Sequence, residues 1–194
     1  MSHALGDTAT FDRVARFYDW FAPTPDSDEF REALAFADRE VERALDVGGG
    51  TGRGSSALGV RERIVADAAE GMTRQARRNG FEAVRADAAR LPFADESVDA
   101  VLVVDALHHF GDPERAVEEA ARVLRPGGVL VIREIDPTAL VGRLVEVGEH
   151  LYGFDSTFFP PEILARQVAD AGLDAKFRSA GFEYTVVGRV PDGE

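Results

Sequence analysis

Residues Leu45 to Gly54 read Leu-Asp-Val-Gly-Gly-Gly-Thr-Gly-Arg-Gly, and this stretch decides the fold class of the chain. A short apolar strand is predicted to run into a loop too rich in glycine for a regular helix or strand. Glycine has no Cβ, so the loop can adopt positive φ angles and bring backbone amides close to a ligand. Asp46 stands at the carboxyl end of the predicted strand, where open α/β sheets bind ligands. The pattern Asp46-x-Gly48-x-Gly50-x-Gly52 therefore predicts a ligand cleft at this loop.

The glycine loop alone is compatible with a dinucleotide, a nucleoside triphosphate or a ligand without phosphate. The dinucleotide pattern Gly-x-Gly-x-x-Gly fails because Arg53 stands three residues after Gly50. A shifted match at Gly52–Ala57 begins too far past the strand. The phosphate-binding loop of nucleoside triphosphatases also fails, since Ser55 occupies the position of its lysine. A ligand with no phosphate fits the loop better.

Predicted strands and helices alternate along most of the chain. The strands cover 44–47, 63–66, 81–86, 98–104 and 129–135, and a terminal hairpin covers 173–179 and 182–190. The helices cover 28–43, a segment that begins over 55–58, 72–78, 113–124, 139–151 and 161–171. Such alternation predicts a parallel sheet with helices on both faces. No linker in the sequence suggests a second domain.

Four predicted strands carry an aspartate at or directly after their carboxyl end, namely Asp46, Asp67, Asp87 and Asp105. Parallel strands would bring these four residues to the same edge of the sheet. A single aspartate at such a place is more often a turn residue or a helix cap. Four beside a glycine loop indicate a cleft that accepts hydrogen bonds from the hydroxyl and amine groups of a ligand.

The composition limits the partners and the location. The net charge of −13, from 22 basic and 35 acidic residues, makes the chain a poor partner for nucleic acid or an anionic membrane. No apolar run reaches the ~18 residues needed to span a bilayer, and the N-terminus lacks the pattern of a signal peptide. We expect a cytoplasmic protein, which is consistent with the lack of cysteine. We also expect it to act on a small molecule. Monomer and homodimer both stay open.

The N-terminal segment from Phe11 to Phe21 carries aromatic and apolar residues at helical spacing. Pro23 ends any helix there. These rings either pack into a core or form a lid over the ligand. For Tyr18 the two interpretations have equal weight.

Five further motifs occur before and after the glycine loop in the sequence. They are Phe11–Asp19, Asp67-Ala-Ala-Glu-Gly-Met72, Leu91–Asp99, Ala106–Phe110 and Leu124–Gly128. Together with the glycine pattern, they resemble the class I S-adenosylmethionine-dependent methyltransferases. Within that class the chain is similar to the ubiquinone- and menaquinone-biosynthesis-like small-molecule enzymes, the methyltransferase type 11 group. The resemblance covers Phe11 to Gly128 well and the remainder loosely.

This resemblance implies an α/β fold: a Rossmann-like, doubly wound, mostly parallel seven-stranded sheet with helices on both faces. The implied strand order is 3-2-1-4-5-7-6, with the last strand antiparallel. We expect one methyltransferase domain over 1–194. Its predicted parts are an N-terminal helical lid (1–43), a cofactor-binding core (44–136), an acceptor-side insertion (137–160) and a terminal helix with hairpin (161–194).

The resemblance also implies S-adenosylmethionine as cofactor and S-adenosylhomocysteine as product. The implied cofactor-binding residues are Tyr18, Asp46, Gly48, Gly50, Gly52, Asp67, Met72, Asp87, Ala88 and Asp105. Asp67 would accept hydrogen bonds from the ribose hydroxyls, and Met72 would pack on the adenine. Asp87 and the Ala88 amide would read the adenine edge.

Methyl transfer from a sulfonium needs a general base only if the acceptor must lose a proton. His108 is the candidate base, although His108 and His109 could equally be structural. His109, His150 and Tyr152 are predicted to line the acceptor pocket. No metal site is expected, because the adjacent histidines point in different directions and have no partner at a ligand spacing.

The sequence therefore predicts S-adenosylmethionine-dependent methyl transfer to a small-molecule acceptor that is apolar or aromatic. The alternative is a protein that binds S-adenosylmethionine without catalysis and acts as a regulatory or interaction protein.

Overall fold

The computed structural model describes residues 27–152 and 156–192, with side chains in the first range described up to residue 148. The helices are α1 (Ser27–Leu34), α2 (Arg53–Ser56), α3 (Glu70–Arg78), α4 (Pro113–Val123), α5 (Leu140–Tyr152) and α6 (Pro161–Asp170). The strands are β1 (Arg43–Val47), β2 (Glu62–Asp67), β3 (Glu82–Arg85), β4 (Val98–Val104), β5 (Leu124–Ile135), β6 (Asp174–Ala180) and β7 (Glu183–Arg189). A 3₁₀ turn, Leu107–His109, follows β4.

The strands form one seven-stranded sheet in the order β3-β2-β1-β4-β5-β7-β6. Neighbours from β3 through β5 are parallel, and β7 is antiparallel to both β5 and β6. The predicted strand order, the antiparallel last strand and the terminal hairpin are confirmed. The chain leaves β1 toward β2 and β3, and later returns to add β4 on the other side of β1. The carboxyl ends of β1 and β4 therefore flank a topological switch point, the usual position of a ligand crevice.

Strand β4 lies at the centre of the sheet because its sequence can be buried on both faces. All seven of its residues are buried, and the strand has the bounds that its apolar run predicts. Successive side chains of a strand point to opposite faces. Accordingly, Val101 packs into one apolar cluster and Leu102 into the other. The two clusters hold the sheet between helical layers and fix the edge that carries the cleft.

The prediction of a helix over 28–43 is wrong in its second half, since α1 ends at Leu34. The chain turns there because other backbone contacts replace the helix. Asp38 N–H donates to the Gly127 carbonyl at 2.9 Å. The buried carboxylate of Asp99 then accepts the amides of Glu42 and Arg43 at 3.2 and 2.9 Å. These contacts lead the chain directly into β1.

Other boundaries differ from their predictions as well, among them those of α2 and β5. The helix after the glycine loop is a single turn that begins at Arg53, two residues earlier than expected. Strand β5 begins at Leu124, where a helix stop followed by a loop was expected. Pairing of Leu124 with Val98 at the start of β4 draws this segment into the sheet.

The predicted division into lid, core, insertion and terminal hairpin stays a prediction, and most of the lid lies outside the described residues. Over 27–152 and 156–192, every helix is too short or too polar to cross a bilayer.

Candidate active site

The glycine loop takes a backbone shape that side chains would not allow. Gly48, Gly50 and Gly52 have φ angles of 68°, 57° and 91°. A Cβ on Gly52 would lie 2.4 Å from the Phe81 ring, so the loop packs tightly there. At Gly50, within the described chain, a Cβ would have only Met72 Sδ within 4 Å, at 3.8 Å. The loop is therefore closed toward the protein at Gly52 and open toward the cleft at Gly50.

Asp46 lies beneath this loop with only 1% of its surface exposed. Its Oδ2 atom accepts the Ser55 amide at 2.8 Å and the Ser55 hydroxyl at 2.7 Å. Its Oδ1 atom is buried and accepts no hydrogen bond from any described residue. Burial raises the pKa of Asp46, against the hydrogen bonds from Ser55 and the charge of Arg53. A buried acceptor without a partner is costly and suggests a ligand that completes it.

Asp67 joins the end of β2 to the glycine loop. Its Oδ2 accepts the Gly50 amide at 2.9 Å, and its Oδ1 accepts the Ala69 amide at 2.8 Å. Asp67 is half-buried and lines the cleft, so its carboxylate can also accept hydroxyl groups from a ligand.

Asp87, Ala88 and Met72 lie at the β2–β3 end of the cleft and contribute to its lining. Asp87 Oδ1 accepts the Ala89 amide at 2.9 Å, which orders the turn after β3. Met72 is held by α3 and is 1% exposed. This end of the cleft offers an apolar thioether beside a carboxylate, a combination that suits a flat heteroaromatic ring.

Asp105 follows β4 with a φ of 51°, a left-handed conformation that is uncommon for aspartate. Its Oδ2 lies 2.9 Å from Arg133 Nη1 and 3.6 Å from Arg53 Nη2. Its Oδ1 is buried and, over the described chain, accepts no hydrogen bond. Burial raises the pKa of Asp105, while Arg133 opposes that shift. Sequence reasoning treated Arg53 only as the residue that breaks the dinucleotide pattern, whereas it lines the cleft beside Asp105.

These residues line one cleft at the carboxyl edge of β1 to β4. Its empty volume is about 940 Å³ with open solvent at the mouth included. Of the predicted cofactor residues, the cleft lining includes Asp46, Gly48, Gly50, Asp67, Met72, Asp87, Ala88 and Asp105. Gly52 is not part of this lining and packs against the Phe81 ring instead. Tyr18 lies outside the described residues. The four strand-end aspartates and Asp112 line the cleft together with Arg53, and this excess of carboxylates suits a cationic ligand with hydroxyl groups rather than a phosphate.

The two predicted histidines have different surroundings. His108 is 3% exposed, and its Nδ1 lies 2.6 Å from Glu134 Oε2. Its ring stacks on Phe158 with the centroids 4.4 Å apart. His108 is not among the described residues that form the cleft wall, whereas His109 is. The assignment of His108 as base stays a prediction, and its burial against Glu134 favours a structural role.

His109 contacts a segment that sequence reasoning did not connect with it. His109 Nδ1 lies 3.2 Å from the hydroxyl of Ser156, and the Thr157 amide donates to the His108 carbonyl at 2.8 Å. No local pattern in the sequence could have indicated Ser156, because 47 residues separate it from His109. The side chains of His150 and Tyr152, predicted to line the acceptor pocket, are outside the described set.

Residues 45–132 match the family described as a methyltransferase domain. A demethylmenaquinone methyltransferase of Clavibacter sepedonicus is 37% identical over 150 residues, which are 70% of this chain and 61% of that protein. A demethylmenaquinone methyltransferase of Beutenbergia cavernae is 35% identical over 178 residues, covering 82% of this chain and 68% of that protein. This chain thus spans about three fifths of the length of the Clavibacter relative.

A solved structure has the same fold over nearly the whole chain. It is an S-adenosylmethionine-dependent methyltransferase from Thermotoga maritima, described as a possible histamine N-methyltransferase. Its TM-score is 0.78 at 26% identity, and the match covers 94% of this chain and 98% of that one. The acid-lined cleft and the glycine loop thus occur in a chain whose named relatives are methyltransferases. The chain belongs to the class I S-adenosylmethionine-dependent methyltransferases, in the type 11 group, whose cofactor is S-adenosylmethionine.

Proposed function

We propose that this chain transfers a methyl group from S-adenosylmethionine to a small aromatic acceptor of the quinol type. The observation that carries the proposal is the row of strand-end carboxylates beside the glycine loop. In the sheet order, Asp87, Asp67, Asp46 and Asp105 lie at or just after the carboxyl ends of β3, β2, β1 and β4, so they are spaced along one cleft. Such a row matches a long ligand with a nucleobase at one end and a cationic centre toward the other.

Each part of the cleft suits one part of that cofactor. Met72 and Asp87 would hold the adenine, and Asp67 would accept the ribose hydroxyls. Gly50 leaves open space for the ligand, and Asp105 offers a buried carboxylate oxygen to the amino group. S-adenosylmethionine supplies an activated methyl group, so the protein has to align the acceptor and limit the access of water.

An apolar acceptor is supported by the surface that follows β5. Leu140, Leu144 and Val147 on α5 are 78%, 67% and 57% exposed. They recur at helical spacing, so they form one apolar stripe on a helix that lies in the predicted acceptor-side insertion. The relatives from Clavibacter and Beutenbergia carry demethylmenaquinone in their names, which points to a quinone-like ring as the acceptor.

Several predictions belong to this proposal. Family membership and the cleft favour catalysis over the alternative of a non-catalytic binding protein. The acidic charge of −13 supports a small-molecule acceptor over nucleic acid. A cytoplasmic location remains a prediction.

Among the described residues there is no group of three or more histidine, aspartate or glutamate side chains that could hold a metal ion.

The test is methyl transfer by the purified chain from S-adenosylmethionine with an isotopically labelled methyl group. Demethylmenaquinone in its reduced quinol form is the main acceptor, and histamine and transfer RNA are the alternatives. We expect labelled product from the quinol and none from transfer RNA. Binding of S-adenosylhomocysteine without transfer to any acceptor would support the non-catalytic alternative instead.

The matched variants for this assay are Asp67→Ala and Glu70→Ala. Asp67 lines the cleft, whereas Glu70 is exposed at the start of α3, three residues away. We expect Asp67→Ala to abolish most of the transfer and Glu70→Ala to preserve it. Equal activity in the two variants would contradict the assignment of this cleft.

A further inference from the structure

The turn after β4 presents two adjacent histidines to different environments. His108 is buried against Glu134, with 3% of each side chain exposed. His109 is partly exposed and lines the cleft between Asp105 and Asp112. Only His109 is therefore placed where a ring nitrogen could reach a molecule bound in the cleft.

The ring of His109 is oriented by Ser156. Its Nδ1 atom lies 3.2 Å from the Ser156 hydroxyl, which is on the segment that follows α5. Ser156 is buried, with 6% of its surface exposed. A serine hydroxyl can either donate to Nδ1 or accept from Nδ1–H, so this contact is compatible with both neutral tautomers of the imidazole. If Nδ1–H donates to Ser156, the lone pair is on Nε2.

Glu134 fixes the turn that carries His109 through contacts with the two residues before it. The Leu107 amide donates to Glu134 Oε1 at 2.8 Å, and His108 Nδ1 lies 2.6 Å from Glu134 Oε2. Both oxygens of this buried carboxylate thus bind successive residues of the turn. The Thr157 amide donates to the carbonyl of His108, so the same contacts join the turn to the segment that carries Ser156.

We propose that His109 is the proton-accepting residue of the transfer reaction, with Ser156 and Glu134 as its positioning residues. The proposal rests on the proposed function. It assigns three roles: Nε2 of His109 takes the proton, Ser156 holds the Nδ1–H tautomer, and Glu134 fixes the turn. The acceptor class is a ring that carries a weakly acidic hydroxyl group.

The proton balance is simple. The hydroxyl proton of the acceptor moves to Nε2 of His109, and its bonding electrons stay on the acceptor. The acceptor would use an electron pair to form its bond to the methyl carbon as the methyl–sulfur bond breaks, and that bonding pair would stay on the sulfur of the S-adenosylhomocysteine that leaves. The imidazolium that forms keeps its Nδ1–H on Ser156 and later releases the Nε2 proton to water. Imidazole suits this step because its ordinary pKa is about 6.5, close to neutral pH.

A first test reads the tautomer directly and needs no acceptor. The probe is the protein with ¹⁵N-labelled histidine, saturated with S-adenosylhomocysteine, and its ring nitrogens are observed by NMR. We expect the neutral His109 ring to carry its proton on Nδ1 in the wild type, and Ser156→Ala to give a mixture of tautomers. Ser179→Ala, which removes an exposed hydroxyl on β6, is the matched control and should leave the spectrum of His109 unchanged. A wild-type ring with the proton on Nε2 would overturn the proposal.

A second test separates chemistry from cofactor binding, with the reduced quinol as acceptor. We expect His109→Gln to lower kcat about 100-fold and Ser156→Ala to lower it about 10-fold. The Kd for S-adenosylhomocysteine should stay within about threefold of the wild type, because neither side chain is needed to hold the cofactor. Glu134→Gln keeps one oxygen acceptor and should fall between the two in kcat.

The outcomes distinguish the two proposals. If the wild type methylates the quinol and His109→Gln keeps its kcat, the role of His109 is overturned while the proposed function stands. If the wild type methylates no acceptor, the proposed function fails, and the tautomer still decides whether Ser156 orients His109 as proposed.

Discussion

The cofactor side and the acceptor side of the cleft are built in different ways. On the cofactor side, Asp46 binds Ser55 nine residues away and Asp67 binds Gly50 seventeen residues away. On the acceptor side, Glu134 contacts His108 across 26 residues, and Ser156 contacts His109 across 47. The proposed cofactor contacts therefore come from residues that are close together in the sequence, whereas the proposed acceptor contacts depend on how distant segments meet.

The two sides also differ in the exposed fraction of their side chains. Asp46 and Met72 are each 1% exposed beneath or beside the glycine loop. On the acceptor side, Leu140 and Leu144 expose 78% and 67% of their surface. The first region has little freedom to change where it is packed, as at Asp46, Met72 and Gly52. The second can vary at little cost to folding, which suits a surface that determines which acceptor is used.

The largest expected effect is from an added methyl group on the cofactor side. Gly52→Ala would place Cβ 2.4 Å from the Phe81 ring at a φ of 91°. Backbone strain of about 1–2 kcal/mol and overpacking of about 1–3 kcal/mol act together. We expect the free energy of unfolding, measured by urea denaturation, to fall by roughly 2–5 kcal/mol.

Gly80→Ala is the matched control for that variant. Gly80 has nearly the same φ, 90°, but no described atom lies within 4 Å of a Cβ there. This variant should lose only the backbone contribution of about 1–2 kcal/mol. Equal losses in the two variants would show that the contact with Phe81 does not constrain the loop, and the contrast between the two sides would be weakened.

The next effect concerns the buried charge of Asp46. In Asp46→Asn the side-chain oxygen can still accept both hydrogen bonds from Ser55, and an uncharged amide group replaces the buried, unpaired Oδ1. The variant loses the desolvation cost of the buried charge, so the free protein should gain unfolding free energy at pH 7, by an amount that the unpaired amide group reduces. Binding of the cationic S-adenosylmethionine, measured by calorimetry, should weaken in the same variant because the favourable charge is gone.

The pH dependence of that gain has a definite sign. The pKa of Asp46 is raised in the folded protein by burial, so folding favours the protonated form. The cost of the charge is absent below the unfolded pKa, about 4, and appears as the pH rises through the raised folded pKa. The advantage of Asp46→Asn over the wild type should therefore grow from about pH 4 upward. A stability difference that shrinks with rising pH would contradict this account.

Local patterns in the sequence predicted the strands and the carboxylates at their ends, whereas the order of the strands came from the family resemblance. The apolar run Val98–Val104 gave the bounds of β4, and Asp46 and Asp67 lie at the carboxyl ends of β1 and β2 as predicted. Helix α1 was predicted too long because the amides of residues near Arg43 bind Asp99, 56 residues away. Helical periodicity carries no information about such a partner.

The acceptor side could not be predicted for the same physical reason. The sequence made His108 the candidate base and predicted that His109 lines the acceptor pocket, whereas in the structure His108 is buried against Glu134 and His109 is part of the cleft wall. Ser156 is an ordinary serine in the sequence, and its relation to His109 exists only after the chain has folded.

The smallest effect is expected on the acceptor side. Leu144→Asn replaces a side chain that is 67% exposed, so the unfolding free energy should change by less than about 0.5 kcal/mol. Binding of S-adenosylhomocysteine should not change, while the KM for the quinol acceptor should rise. Leu130→Ala in β5, at a site with 0% exposure, is the contrast and should cost about 2–5 kcal/mol. A large stability loss in Leu144→Asn would show that this stripe is part of the core.

The most direct measurement of the central claim is calorimetric binding of S-adenosylhomocysteine to the wild type, Asp67→Ala and Glu70→Ala. Asp67 braces the loop through Gly50 and offers its carboxylate to the ribose, so its loss removes hydrogen bonds to a charged group worth about 1.5–3 kcal/mol each. We predict saturable binding by the wild type and by Glu70→Ala, and a Kd at least about tenfold higher in Asp67→Ala. No binding by the wild type, or an unchanged Kd in Asp67→Ala, would contradict the assignment of this cleft to S-adenosylmethionine.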